Sequence, residues 1–447
     1  MNLSSNLRQK IVSAAEAVKV IKSGDLVHYG EFVMNSELLD RALAGRRDEL
    51  SNVWIRTVNC PFTPQVVLGD PERKHFIYSD SHFSTASRKL HDSNLCNYIP
   101  MTYHEAPSFY ERAYIRVDVA LIKVTPPDEH GYVNLGTSNS ITHAVCDAAR
   151  IIIAEINDSV PRCLGGVNET LHISQIDYFV EGENEPLIEL QDRPITDVDK
   201  KIAKIILEQI EDGACLQLGI GAMPNTVGKM IAQSDLKDLG VHTEMLVDSF
   251  VDIHQAGRIT GLRKQLDKGK MVYTFAGGTK RLYDFLDNNP VCASYPASYT
   301  NDPDIICQND KVLAINNAIE VDLYGQVASE SLGTRQISGT GGQLDFIYGS
   351  YKSRGGKGLI CLTSTYTDSQ DEVYSRIKPL LTPGTIVTVP RSLNFYVITE
   401  YGIAMLKGKS TWERAEALIN IAHPKFRDEL IKEADHNKTW VRTNKLC

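Results

Sequence analysis

Long apolar runs are missing from this chain. No stretch approaches the ~20 apolar residues needed to cross a bilayer, and the opening Met1-Asn2-Leu3-Ser4-Ser5-Asn6-Leu7-Arg8 lacks the apolar centre of a secretion signal. Basic charge is also short, with 47 Lys and Arg against 56 Asp and Glu for a formal net charge of -9. Phosphate-backbone binding wants the opposite sign, which argues against nucleic acid as a partner but leaves room for a small anion held by local donors. Nine cysteines are scattered from Cys60 to Cys447 without a C-x-x-C pair, a pattern of reduced thiols that gives no support to a metal site. G-x-S-x-G, Walker and H-E-x-x-H patterns are absent too, so serine-hydrolase, nucleotide-triphosphatase and zinc-peptidase chemistry have no anchor. A cytoplasmic protein with no metal and no membrane partner is the expectation.

What is present is an ordinary globular composition, 42% hydrophobic and 23% charged, over 447 residues. That length favours two domains over a single core. Helix-like and strand-like stretches alternate throughout. Ser13 to Ile21 carries Ala14, Ala17, Val18 and Ile21 on one side, with Ser13 as cap and Glu16 completing a capping box. Leu26 to Tyr29 reads as a short buried strand. The β-branched runs Val117 to Ile122 and Ile151 to Ile156 read as strands covered on both faces. Alternation of this kind predicts an α/β fold with mostly parallel sheets. A polar, proline-bearing stretch from Glu181 to Pro194 separates the two expected domains, 1–190 and 191–447, and Asp197 to Ile210 restarts a helix after it.

The two halves share a plan. Ile21 to Gly30 lies over Ile210 to Gly219 at a constant offset of 189. After a three-residue gap, Leu50, Val53, Ile55 and Thr57 lie over Leu236, Leu239, Val241 and Thr243 at an offset of 186. Val58 then takes the place of Glu244. A duplicated fold with an acid in one copy and an apolar residue in the other suggests an active site between two similar domains.

An isolated Glu is usually solvated or salt-bridged. Glu244, after Val241 and Thr243 at a strand end and near the Gly219 loop, is an equally good candidate for the crevice where α/β sheets hold ligands. His242 points to the opposite face from Thr243 and reads as a packing or hydrogen-bonding residue rather than a base. The loop Gly219-Ile220-Gly221-Ala222-Met223-Pro224 fails as a dinucleotide fingerprint because Pro224 stands where a third glycine belongs. It is either a tight strand–helix turn or a loop whose N–H groups face an oxyanion or phosphate, and both can hold. Ser338 to Phe346 places Gly339, Gly341 and Gly342 within four positions, where something must approach the backbone closely. Asp345 there fixes the loop or caps the next helix. Asn316, inside an apolar strand, is a satisfied core amide or a site group, and Glu400 follows another strand at Val397 to Thr399.

At these residues the chain resembles the acetyl-CoA hydrolase/transferase family, in the branch containing butyryl-CoA:acetate and 4-hydroxybutyrate CoA-transferases. The matching motifs are Pro127 to Tyr132, Val180-Glu181-Gly182, Gln217 to Gly221, His242-Thr243-Glu244, Gly339 to Phe346 and Thr399-Glu400-Tyr401-Gly402. The resemblance implies two similar α/β domains with the active site at their interface and a covalently acylated glutamate matching Glu244. It also implies oxyanion donors at Gly341 and the Ile220–Gly221 turn, a Gly339–Gly342 loop that receives CoA, and polar neighbours at Asn316 and Glu400 that orient the nucleophile. No cofactor is expected to be bound permanently; coenzyme A and its thioesters are substrates, with a short-chain carboxylate as the other partner. A homodimer or dimer of dimers is the implied assembly. Tyr29, Glu31, Met223 and Gly136 to Asn139 are candidates for the acyl pocket, and Lys280, Arg281, Arg335, Lys352 and Arg354 for the CoA phosphates, although any one of these charges is more simply a solvated one. Acyl-CoA hydrolysis on the same scaffold and a non-catalytic acyl-CoA or sugar-phosphate sensor are the competing readings. A sensor needs no nucleophile such as Glu244.

Overall fold

The computed structural model describes residues 3–190 and 194–439. Residues 191–193 of the expected linker, and Cys447, lie outside that range. Spatial grouping divides the chain into two compact units. One takes Met1–Gln191, Glu244–Leu246 and Val272–Thr300; the other takes Asp192–Thr243, Val247–Met271 and Asn301–Cys447.

The first unit is built on a seven-stranded sheet. Its strands lie in the order Asn97–Tyr98, Phe76–Asp80, Val53–Val58, Leu26–Glu31, Val117–Val124, Ala149–Ile156 and Tyr178–Glu181. Every pairing is parallel. Val27, Ile55 and Leu121 bury one face with Ile21 and Leu39. Ala120, Ile122 and Ile152 bury the other with Val145 and Phe179. Apolar cover on both faces is what the β-branched runs demanded, each fully buried side chain contributing ~1.5–3 kcal/mol. From Leu26–Glu31 the chain adds strands outward on one side and then resumes at Val117 on the other. The carboxyl end of Leu26–Glu31 therefore stands at a switch point, the place where open α/β sheets accept ligands.

Within an eight-stranded sheet, the order Gly240–Leu246, Cys215–Leu218, Val312–Asn317, Lys357–Cys361, Tyr396–Thr399, Gly402–Met405 repeats the plan, with an antiparallel last pair. The register carries the duplication. Leu26 pairs with Trp54 and Val27 with Ile55; Cys215 pairs with Gly240 and Leu216 with Val241. These partners are related by the same offsets of 189 and 186 read from the sequence.

Two local expectations are corrected. Ser13 does accept from the Glu16 N–H, but the helix is only Ala14–Ala17, followed by a tighter turn at Val18–Val20. The Glu16 carboxylate pairs with Lys19 rather than closing a capping box. Of the two readings of Asp345 only the cap is excluded: Gly342 holds that position, and Asp345 is buried within the first turn of the helix Gln343–Lys352.

Candidate active site

In the first unit the chemistry gathers around Tyr103. Glu244 is half-buried within the strand Gly240–Leu246. Its charge and that of Glu31 both act on the Tyr103 hydroxyl, which burial first and these carboxylates second hold well above its ordinary pKa. That hydroxyl also shares a hydrogen bond with Ser140.

Glu31 reaches this cluster through an irregularity in its strand. His28 pairs with Arg56, but the next matched pair is Glu31 with Val58, so three steps on one strand oppose two on the other. A bulge of this kind re-aims a side chain, and bulges concentrate next to active sites. Tyr29, before it, packs in the core on the opposite face and donates its hydroxyl to Asp40 at 3.0 Å. Glu31 instead acts on Tyr103, Tyr110 and Cys146. Gly30 is needed at the bend, because a Cβ there would sit 2.4 Å from the Met34 carbonyl oxygen. The carboxyl of Glu31 is 1% exposed. Burial pushes its pKa up to about 8, while the Ser140 hydroxyl and the Ile141 N–H pull the other way. Neither reaches hydrogen-bond geometry, so both oxygens are buried without a partner.

Thr137 to Ser140 runs beside the strand Met271–Ala276. The Ala276 N–H donates to the Thr137 carbonyl at 2.8 Å and the Ser140 N–H to the Thr274 carbonyl at 3.1 Å. Thr137 Oγ1, Ser138 Oγ and Asn139 Oδ1 are also buried without partners. The structure thus brings Glu31 together with Ser140 and Glu244, and leaves Tyr29 on another face.

The second unit holds the glycine loops. Gly221, with φ +111°, precedes the helix Ala222–Gln233 and offers no side-chain cap, so the cap residue itself supplies no acceptor to the first N–H groups of that helix. Gly341 has φ +53°, and Gly342 precedes the helix Gln343–Lys352 in the same uncapped way. One strand end ties both loops. Asn316 Nδ2 donates to Gln217 Oε1 at 3.1 Å, Asn317 Nδ2 donates to the Ile220 carbonyl at 3.5 Å, and Gln343 Nε2 donates to the Asn317 carbonyl at 2.7 Å. Gly339–Gly342 is further held by Glu330, whose carboxylate accepts from Thr340 and Thr388 and whose carbonyl accepts from the Ile337 and Ser338 N–H groups. Glu400 accepts from the Ser364 N–H at 2.9 Å and from its hydroxyl at 2.5 Å. Met223 is buried in the first turn of its helix, and His242 packs 6.3 Å from the Phe346 ring.

Comparison with known proteins decides the affiliation. The N-terminal domain of acetyl-CoA hydrolase/transferase matches residues 1–189 and the C-terminal domain of the same family matches residues 278–434. A butyryl-CoA:acetate CoA-transferase of Anaerostipes caccae is 50% identical over 446 residues, covering 100% of both chains. The chain belongs to the acetyl-CoA hydrolase/transferase family. A 4-hydroxybutyrate coenzyme A transferase of Clostridium kluyveri is 41% identical over 432 residues, covering 95% of this chain and 97% of its own. The crystal structure of RipA from Yersinia pestis matches with a TM-score of 0.88 at 35% identity, over 98% of this chain and 100% of that one. The protein is an enzyme of the CoA-transferase class.

Among the described residues of this family member, no group of three or more His, Cys, Asp or Glu could hold a metal, and no helix is long and apolar enough to cross a membrane. Of the basic candidates, Lys280 pairs with Asp284 at 2.6 Å, Lys352 with Asp304 and Arg354 with Asp310. Tyr103, Ser140, Glu330 and Ser364 were not legible as site residues. Ser140 lies 37 residues from Tyr103 and Ser364 lies 36 from Glu400, and no local pattern marks such partners or the Glu330–Thr340 contact ten residues apart.

Proposed function

We propose that the enzyme moves CoA between a short-chain acyl-CoA, butyryl-CoA or 4-hydroxybutyryl-CoA, and acetate, with Glu244 as the covalent nucleophile in a ping-pong cycle. The carrying observation is the acid at position 244 of a duplicated register whose other copy has Val58. The relatives' activities support the choice of substrates.

A carboxylate in water is a poor nucleophile because its hydration shell stabilises it. A half-buried Glu244 has lost part of that shell. Holding it against a thioester carbonyl can remove ~7–11 kcal/mol of barrier. Its attack on the carbonyl carbon creates an oxyanion, for which we assign the N–H groups of Gly221 and Gly341 as donors; one prearranged donor contributes ~3–4 kcal/mol. Collapse expels CoA thiolate and leaves an acyl–glutamyl anhydride. The thiolate then attacks the glutamyl carbonyl, forming a glutamyl–CoA thioester and releasing the first carboxylate. Acetate attacks that thioester and reverses the sequence with a new acyl group. Glu400 and Asn316 are assigned to positioning, since each is already fixed by a neighbour.

Glu244→Gln tests the assignment. It should lower transfer by at least a thousandfold while acyl-CoA binding changes less than threefold. Transfer within tenfold of the parent enzyme would remove Glu244 from the chemistry.

A further inference from the structure

A carboxyl group buried without a hydrogen bond or a counter-charge is costly, and folded proteins rarely keep one without a use. Glu31 is such a group, with both oxygens unpartnered at 1% exposure. Its placement is built. A bulge turns it off its strand's regular face at the switch point of the sheet. Phe32, directly after it, has φ +50°, and Ser140, facing it, has φ +45°, backbone states that cost non-glycine residues and cluster at functional sites. Phe32 is held there by stacking on Phe275, with centroids 3.6 Å apart.

The groups around Glu31 name its ligand by what they lack. From the helix Ala106–Glu111 comes Tyr110, from Thr142–Ala148 comes Cys146, from the tight turn Tyr103–Glu105 comes Tyr103, and from the loop before Thr142 comes Ser140. Burial pushes Tyr103, Tyr110 and Cys146 up and His28, on the same strand, down to about 4. Arg56 faces Tyr110 and His28; no cation is among the groups that act on Glu31. Glu244 adds a second negative charge on Tyr103. Among the described groups that act on Glu31 a free carboxylate therefore finds no cation, although Arg56 lies beside Tyr110 and His28. A carboxylic acid that keeps its proton is a strong donor to it, beside the Tyr103 and Ser140 hydroxyls.

We propose that the Glu31 carboxyl seats the free carboxylate substrate, donating its proton in a hydrogen bond to the substrate anion. This rests on Glu244 as the nucleophile, because it concerns only the half of the cycle in which an acid enters. The acyl-CoA that opens the cycle carries no anion at its acyl end and does not need the donor. No proton leaves Glu31; above the pH at which it ionises, two anions face each other and the acid is repelled.

The test measures the acetate KM from pH 6 to 9.5 in the parent enzyme, Glu31→Gln and Glu31→Leu. CoA-adduct formation from acyl-CoA alone and the melting temperature are followed in parallel. In the parent, KM should be flat to about pH 8 and then rise toward tenfold per pH unit. The Gln variant, whose amide donates but cannot ionise, should stay within about threefold of the parent at pH 7 and lose the rise. The Leu variant should raise the acetate KM at pH 7 at least tenfold, while adduct formation stays within about fivefold and the melting temperature does not fall. An acetate KM for Leu within threefold of the parent, or an unchanged pH profile in Gln, overturns the proposal. Absence of the adduct from the parent enzyme overturns the Glu244 assignment instead.

Discussion

Asn316 donates its amide to the Gln217 side-chain oxygen at 3.1 Å, joining two neighbouring strands just where the glycine loops begin. Gln217 pairs with Ala314 and Leu218 with Ile315 in the ladder below, so this bond extends the ladder by one side-chain rung. Asn316→Ala would leave the Gln217 oxygen, in a 4% exposed residue, without that donor. We expect a loss of ~1–2 kcal/mol in urea unfolding. Turnover should fall about 10- to 100-fold with the acyl-CoA KM little changed, because the loops would be displaced rather than removed. Full turnover in this variant would show that the amide is only a core residue.

Gly221 separates backbone requirement from space. A Cβ there meets nothing within 4 Å, yet its φ is +111°. Gly257 has the same open surroundings and φ +72° at an exposed position. Alanine should destabilise each by about 1 kcal/mol or more. Only Gly221→Ala should also lower turnover, by about a hundredfold, if its N–H serves the oxyanion. Equal activity in the two variants would assign Gly221 to turn formation alone.

Glu31 predicts how stability follows pH. Its pKa is about 8 when folded, against 4.5 for the free side chain. Below 4.5 both states hold the proton. Between 4.5 and 8 the folded state holds it and the unfolded state does not, so stability falls as pH rises, by up to about 1.4 kcal/mol per unit. Above 8 the loss is complete. Asp40 and Asp80, raised to about 6, act in the same direction at lower pH, while His28 and His82, lowered to about 4, oppose them up to 6.5. The difference between parent and Glu31→Gln cancels these groups. Melting curves at pH 5, 6.5 and 8 should show the Gln variant gaining relative stability with each step; a constant difference would mean that Glu31 is ionised throughout.

The repeat was legible because it lives in local spacing. Strand partners shift together, so offsets of 189 and 186 in sequence became the pairs Leu26–Trp54 and Cys215–Gly240. The loops at Gly221 and Gly341 were legible for a similar reason, since positive φ selects glycine. Tyr29 and Glu31 were both candidates for the acyl pocket, but Tyr29 packs in the core against Asp40 while Glu31 acts on Tyr103, Tyr110 and Cys146. The register shift between His28 and Glu31 separates them, and neither it nor the close approach of the Met34 carbonyl to Gly30 has a sequence signature. The support of Gly339–Gly342 by Glu330 and of Glu400 by Ser364 likewise depends on tertiary placement.

The covalent role of position 244 is tested most directly by mass. Incubating the enzyme with butyryl-CoA alone, digesting it and measuring the peptide that contains Glu244 should reveal a CoA thioester on that residue. Acetate should discharge it, and Glu244→Gln should never form it. An unmodified Glu244 peptide under conditions where the enzyme turns over would contradict the account.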